Sequence, residues 1–148
     1  MITAVRFDEA RIHFRNRYVA TPSYRDETKA GRILSRGFGK MRPGGLLANA
    51  LRRPANVSNT SVVLESGRLL SLREGGPPYE LDPATLETQG VADFGGVLEA
   101  FSAHPKVDPD SGEMFNFGID YGPKTTLTPY RIDKRLLALG LASKRCDV

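Results

Sequence analysis

With 148 residues, 40% of them hydrophobic and 26% charged, the chain has the length and balance of one globular domain. No apolar run is long enough to cross a bilayer, no apolar signal core follows the N-terminus, and a single cysteine, Cys146, excludes an internal disulfide, so a reducing, cytoplasmic setting is expected. The net charge of +4 is uneven: residues 1–57 carry 12 Lys/Arg against 4 Asp/Glu, net +8, and residues 58–148 carry 9 against 13, net −4. A basic front half suits either a polyanion-binding β-module without catalysis or a solvated face. The basic residues are not interleaved with the stacking aromatics that single-strand nucleic-acid binders use, so the solvated face is preferred and no nucleic-acid partner is expected.

The first predicted element is a hairpin. Ala4–Phe7 and Arg11–Val19 flank an Asp8-Glu9-Ala10 turn, and Val5, Phe7, Ile12 and Phe14 alternate with polar residues. His13 falls on the polar face with Arg11, Arg15 and Arg17, where exposure is its expected state. Thr21-Pro22 ends the strand. Ser23 is a candidate N-cap for a short helix running to Ala30, with Gly31 as its stop. Arg32–Asn56 is basic and broken by Gly37, Gly39, Gly44, Gly45 and two prolines, which predicts an irregular loop. Its Arg36–Lys40 stretch has neither the lysine-serine/threonine ending of a phosphate-binding loop nor a dinucleotide fingerprint.

Order is predicted to return at Asn59. Thr60–Glu65, a Ser66-Gly67 turn and Arg68–Arg73 form a hairpin; Tyr79–Asp82 is a third strand, ended by Pro83. Thr85–Thr88 leads to Gly90 without a strand pattern. The stretch Phe101–Tyr121 is the most informative. Pro105 forces His104 out of a helical conformation and into an extended one. Asp108–Gly112 has turn chemistry throughout, and Phe115, Phe117, Ile119 and Tyr121 alternate as in a half-buried strand. The hairpin therefore presents His104 at its rim. Thr125–Ile132 is a last strand, and Lys134–Val148, with Leu136, Leu137, Leu139 and Leu141 among Lys and Arg, reads as a short helix or frayed tail. Short strands at regular intervals with turns between them predict an all-β fold, a propeller or sandwich.

Several segments, in order, carry a resemblance. They are Arg15–Tyr18, Asn59-Thr60, Gly67–Leu70, Glu74–Tyr79, Leu81–Thr88, Asp93–Gly95, Phe101–Lys106, Asp108-Pro109, Gly112-Glu113 and Thr128–Asp133. Together they resemble the carotenoid cleavage oxygenases, the family of the retinal pigment epithelial isomerase and the stilbene-cleaving dioxygenases. The resemblance implies a seven-bladed β-propeller, of which this chain would form about two blades. It implies one iron(II) held by four histidines, and dioxygen added across a carbon–carbon double bond of a carotenoid, apocarotenoid or stilbene. By the same resemblance the histidine of the Ala-His-Pro segment, His104, is one iron ligand. Glu74, which opens the Glu-Gly-Gly-x-Pro-Tyr segment, is then a carboxylate that accepts the distal N–H of a ligating histidine. Neutral imidazole suits iron(II), and such a carboxylate fixes the ring's tautomer and direction.

The departure from the family pattern is as informative. The family set needs four histidines; this chain has two, and only His104 lies in a ligand segment. Residues 1–133 are therefore expected to form a partial propeller and residues 134–148 a divergent tail, as in a truncated or frame-shifted reading. Glu74, whose partner in the family is a histidine of a later blade, is expected to have nothing to orient. Exposed strand edges and apolar faces predict marginal stability and self-association. One histidine predicts neither tight iron binding nor turnover by the chain alone. No apolar patch stands out as a membrane-docking face. A degenerate copy without a role is the remaining alternative.

Overall fold

The computed structural model describes residues 1–35, 44–45, 55–98, 100–121 and 124–135. The Arg36–Lys40 stretch, Cys146 and the leucine-bearing tail after Arg135 lie outside the described residues. Among the described residues the fold is mainly β, with one named helix, three antiparallel sheets and no closed ring among them. It divides into two units, residues 1–19 with 58–148, and residues 20–57.

The larger unit holds all of the described strands. Strands β1 (Ile2–Phe7) and β2 (Ile12–Arg17) form the first hairpin, with Val5 opposite Phe14 and Phe7 opposite Ile12. The alternation is as expected, but the apolar face it creates is open: Phe7, Ile12 and Phe14 are 73, 69 and 65% exposed. His13 is exposed on the opposite face, as its neighbours predict, and its Nε2 lies 2.7 Å from Asp8 Oδ2.

The second sheet has four strands in sequential order: β3 (Ser61–Glu65), β4 (Arg68–Leu72), β5 (Tyr79–Leu81) and β6 (Thr88–Val91). The β3–β4 turn has positive φ at both Ser66 (51°) and Gly67 (80°), the twist a two-residue hairpin loop requires. Strand β6 has no counterpart in the sequence pattern. It forms because β5 leaves an unpaired edge, and Asp82 builds the turn that returns the chain to it: Asp82 Oδ1 accepts from the N–H groups of Ala84 and Thr85 at 2.9 and 2.7 Å.

The third sheet orders β7 (Lys106–Val107), β8 (Met114–Tyr121) and β9 (Thr125–Ile132). The turn from β7 to β8 is the expected one: Gly112 N–H donates to Asp108 O at 2.8 Å, and Asp108 Oδ1 accepts from Asp110 and Ser111. In β8 the period is right and the face is reversed. Met114, Asn116 and Gly118 are the buried positions, while Phe115 and Phe117 are 42 and 38% exposed. Aromatic content points to the odd face; the main core closes on the even one.

That core joins the second and third sheets through Leu70, Leu72, Phe94, Phe101, Met114 and Ile132 among others. On its rim the Arg68 guanidinium grips the Glu80 carboxylate in a two-pronged contact, Nε to Oε1 at 2.8 Å, and lies 5.1 Å over the Phe94 ring. A smaller cluster of Ile2, Val19, Tyr79, Leu81 and Leu86 covers the other face of β5 and ties the first hairpin to it.

In the smaller unit, α1 spans Pro22–Ala30 and ends on Gly31. Its cap is Thr21, not Ser23: Thr21 Oγ1 accepts from Tyr24 N–H at 3.2 Å, and Pro22 fills the first helical position, where a missing N–H costs nothing.

Candidate functional site

Two loops that are distant in sequence meet at one isolated β-bridge, Gly76 with Phe101. The pairing is antiparallel, so two residues before Gly76 stands opposite two residues after Phe101. Glu74 accordingly faces Ala103, and its Oε1 accepts the Ala103 N–H at 3.1 Å. The Ser102 hydroxyl donates to the same oxygen at 3.3 Å. The structure thus brings both candidate site residues together: His104 Nε2 lies 3.6 Å from Glu74 Oε1. At that distance the two groups are neighbours without a direct hydrogen bond.

The chain makes an abrupt exit from the core at this point. Phe101, Ser102 and Ala103 are buried, and His104 is exposed, its side chain 67% accessible. The imidazole is therefore directed to the rim, extended as Pro105 demands, and not into an apolar pocket. Glu74 is half exposed beside it. Within this chain Glu74 holds the backbone that leads into His104, through the Ser102 hydroxyl and the Ala103 N–H.

Three residues outside the sequence-level candidates build the platform. The Ser102 Oγ that donates to Glu74 also accepts the His104 N–H at 3.2 Å. The Ser102 main chain is gripped on both sides by β8, its N–H donating to Phe117 O at 2.7 Å and its carbonyl accepting from Asn116 Nδ2 at 2.8 Å. Gly118 makes this approach possible: a Cβ there would sit 2.1 Å from the Ala100 carbonyl oxygen, far inside contact distance. A glycine inside a strand is the sequence signal for such a close approach, and Gly118 could have been found by it. Ser102 and Asn116 carry no comparable signal.

Among the described residues no group of three or more His, Cys, Asp or Glu side chains converges as a metal site. His104 is the only imidazole at the Glu74 platform, because His13 lies on the first hairpin. One imidazole beside one carboxylate does not fit the four-nitrogen donor set that the resemblance implies. The residues described hold and aim a single donor and no more. Among the described residues no helix is long and apolar enough to cross a membrane.

Comparison with known proteins follows the same lines. Residues 1–144 match the retinal pigment epithelial membrane protein family. The chain is 46% identical over 122 residues to resveratrol cleavage oxygenase 1 of Aspergillus fumigatus, covering 80% of this chain and 24% of that protein. It is 39% identical over 145 residues to the apocarotenoid-15,15'-oxygenase of Synechocystis, covering 90% and 30%. It is 39% identical over 127 residues to lignostilbene-alpha,beta-dioxygenase isozyme III of Sphingomonas paucimobilis, covering 80% and 24%. Among solved structures, a variant of the Synechocystis apocarotenoid oxygenase superposes with a TM-score of 0.81 at 34% identity, over 97% of this chain and 32% of that one. The cobalt-substituted form of the same oxygenase superposes with a TM-score of 0.80 at 36% identity, with the same coverage. The chain thus spans about a quarter to a third of the length of these relatives.

Proposed function

The chain belongs to the retinal pigment epithelial membrane protein family, the carotenoid cleavage oxygenases, and from that membership we propose that it is one portion of a non-haem iron(II) dioxygenase. The complete protein would cleave a carbon–carbon double bond of a carotenoid, apocarotenoid or stilbene, taking dioxygen as co-substrate. His104 is one iron ligand in this reading, and Glu74 is a carboxylate beside the metal site whose histidine partner belongs to a later blade. Residues 1–133 form about two blades of a propeller, and residues 134–148 diverge from it.

One observation carries the reading. The Glu-Gly-Gly and Ala-His-Pro segments are separated in sequence, and the Gly76–Phe101 bridge joins them so that Glu74 and His104 meet at a rim. Open apolar surface supports the same view. Val5, Phe7, Ile12 and Phe14 on the first hairpin, and Val62 and Leu64 on β3, are exposed as faces that neighbouring blades would cover. The basic front half gives little support to a polyanion-binding module. Arg15 donates to the Ala84 carbonyl and Arg17 pairs with Glu87 at 3.0 Å, so two of its cations are engaged in holding the hairpin to the second sheet.

By itself the chain offers one imidazole at this site, and the 148-residue polypeptide is expected to hold iron only weakly and to turn nothing over. The decisive experiment is a chimera in which residues 1–133 replace the matching segment of the Synechocystis apocarotenoid oxygenase. The chimera should retain stoichiometric iron and cleave an apocarotenoid, and His104→Ala within it should lose both. Full iron occupancy after His104→Ala would overturn the ligand assignment.

A further inference from the structure

We propose that Ser102 and Asn116 are positioning residues: they fix the main chain around His104 so that its imidazole stands beside Glu74. The inference rests on the reading of His104 as an iron ligand and extends it to side chains that the family resemblance does not single out.

The argument begins with connectivity. Ser102 Oγ is a two-sided link, donating to Glu74 Oε1 at 3.3 Å and accepting the His104 N–H at 3.2 Å. It thereby couples the direction of the backbone at His104 to the position of the carboxylate. A serine two residues before the donor folds that backbone over its own hydroxyl, a turn of well-known geometry. The link would be loose if Ser102 could shift, but its main chain is held at both ends, by Phe117 O at 2.7 Å and Asn116 Nδ2 at 2.8 Å. Ser102 is itself buried, so water does not compete for these bonds.

Cost points the same way. Asn116 is buried at a position whose neighbours on that face, Met114 and Gly118, are apolar. Its Nδ2 has the Ser102 carbonyl, while its Oδ1 is buried with no hydrogen-bond partner among the described residues. An unpaired buried acceptor is destabilising, and an apolar side chain of similar size would avoid it. What the amide supplies is the bond to Ser102. A ligating nitrogen must be held to within about half an ångström to keep its geometry, and such precision comes from supporting residues of this kind.

Nuclear magnetic resonance of the 148-residue chain tests this without iron. The chain has two histidines, so His13 on the first hairpin is a built-in control for His104. Wild type should show nuclear Overhauser contacts between the His104 ring and the Glu74 methylenes. Ser102→Ala should abolish them and speed exchange of the His104 amide by roughly five- to tenfold, the factor that one lost hydrogen bond gives. Asn116→Leu should also abolish them, and Ser102→Thr, which keeps the hydroxyl, should restore them. The His13 ring signals and the β3–β4 amides should not move in any variant. Ring contacts and His104 amide exchange that are unchanged in folded Ser102→Ala would overturn the proposal; if Asn116→Leu fails to fold, Ser102→Ala decides alone. The outcome is separable from the iron reading. Lost ring contacts with iron retained in the His104→Ala chimera leave the clamp standing and remove the ligand role.

Discussion

Glu74 illustrates how much a single side chain depends on what faces it. Its carboxylate is an ordinary turn residue until the Gly76–Phe101 bridge sets it against Ala103 and Ser102. Spacing along the chain could not reveal that meeting, because it depends on which loop of one sheet crosses which strand of another. His104 was legible through Pro105, a purely local constraint, and Asp108 through the turn that follows. Glu80 offers a sharper test at this scale. The Arg68 guanidinium bonded to it holds its carboxyl below the usual glutamate range, against a smaller opposing effect of burial. A carboxylate with a depressed folded pKa stabilises above its unfolded pKa, and that stabilisation is lost as pH falls through the folded value. Glu80→Gln is therefore expected to cost about 1–2 kcal/mol near neutrality, as for a charged hydrogen bond that is partly screened. The difference between wild type and variant should shrink toward zero below the ordinary glutamate range. Urea denaturation at several pH values measures it; a cost that stays constant down to pH 3 would contradict the pairing.

Among the elements, hairpins with strong turn chemistry were readable, and the buried face of β8 was not. The Ser66-Gly67 and Asp108–Gly112 turns appear where expected, because positive φ and side-chain-to-backbone bonds are encoded locally. Strand β6 was hidden, since Thr88-Gln-Gly-Val has no alternation and the strand exists to complete the edge of β5. In β8 the aromatic residues misled: Phe115 and Phe117 face outward because Gly118 and Asn116 must face the segment that carries His104. The helix cap was misjudged by two residues for a related reason. Pro22 can occupy the first turn, so the cap moves back to Thr21. The prediction that belongs here is Gly118→Ala. One added carbon meets the Ala100 carbonyl, and the 100–102 segment must retreat from β8. A loss of about 1–3 kcal/mol is expected, the range for forcing extra volume into a packed site. It should be accompanied by faster exchange of the Ser102 amide, which is bonded to Phe117 O. A variant as stable as wild type, with that amide still protected, would refute the close approach.

At the scale of the molecule, several strands among the described residues leave large apolar side chains open to solvent. The first hairpin turns four large apolar side chains to solvent on one face, and β3 and β9 add Val62, Leu64 and Leu127. Scattered apolar residues are common on protein surfaces, but contiguous ones mark an interface. The chain alone is expected to bind a hydrophobic dye such as ANS and to associate as its concentration rises. Phe7→Lys combined with Ile12→Lys should reduce both, with little change in the buried cores, which these residues do not enter. Sedimentation velocity across a concentration series provides the check, and a monomer at all concentrations without dye binding would remove the interface argument. The all-β class and the order of strands were legible from turn spacing. Which faces were finished and which were open was not, because an alternating strand reads alike whether its apolar side meets a neighbour or water.

The bonds that hold His104 begin at Glu74 and end on β8 at Asn116 and Phe117, with Gly118 as the clearance that admits them. Donor and cradle therefore travel as one uninterrupted cassette. Gene recombination with breakpoints outside it would transplant the pair intact between distant homologues, whereas a breakpoint inside it would deliver an imidazole without the scaffold that points it.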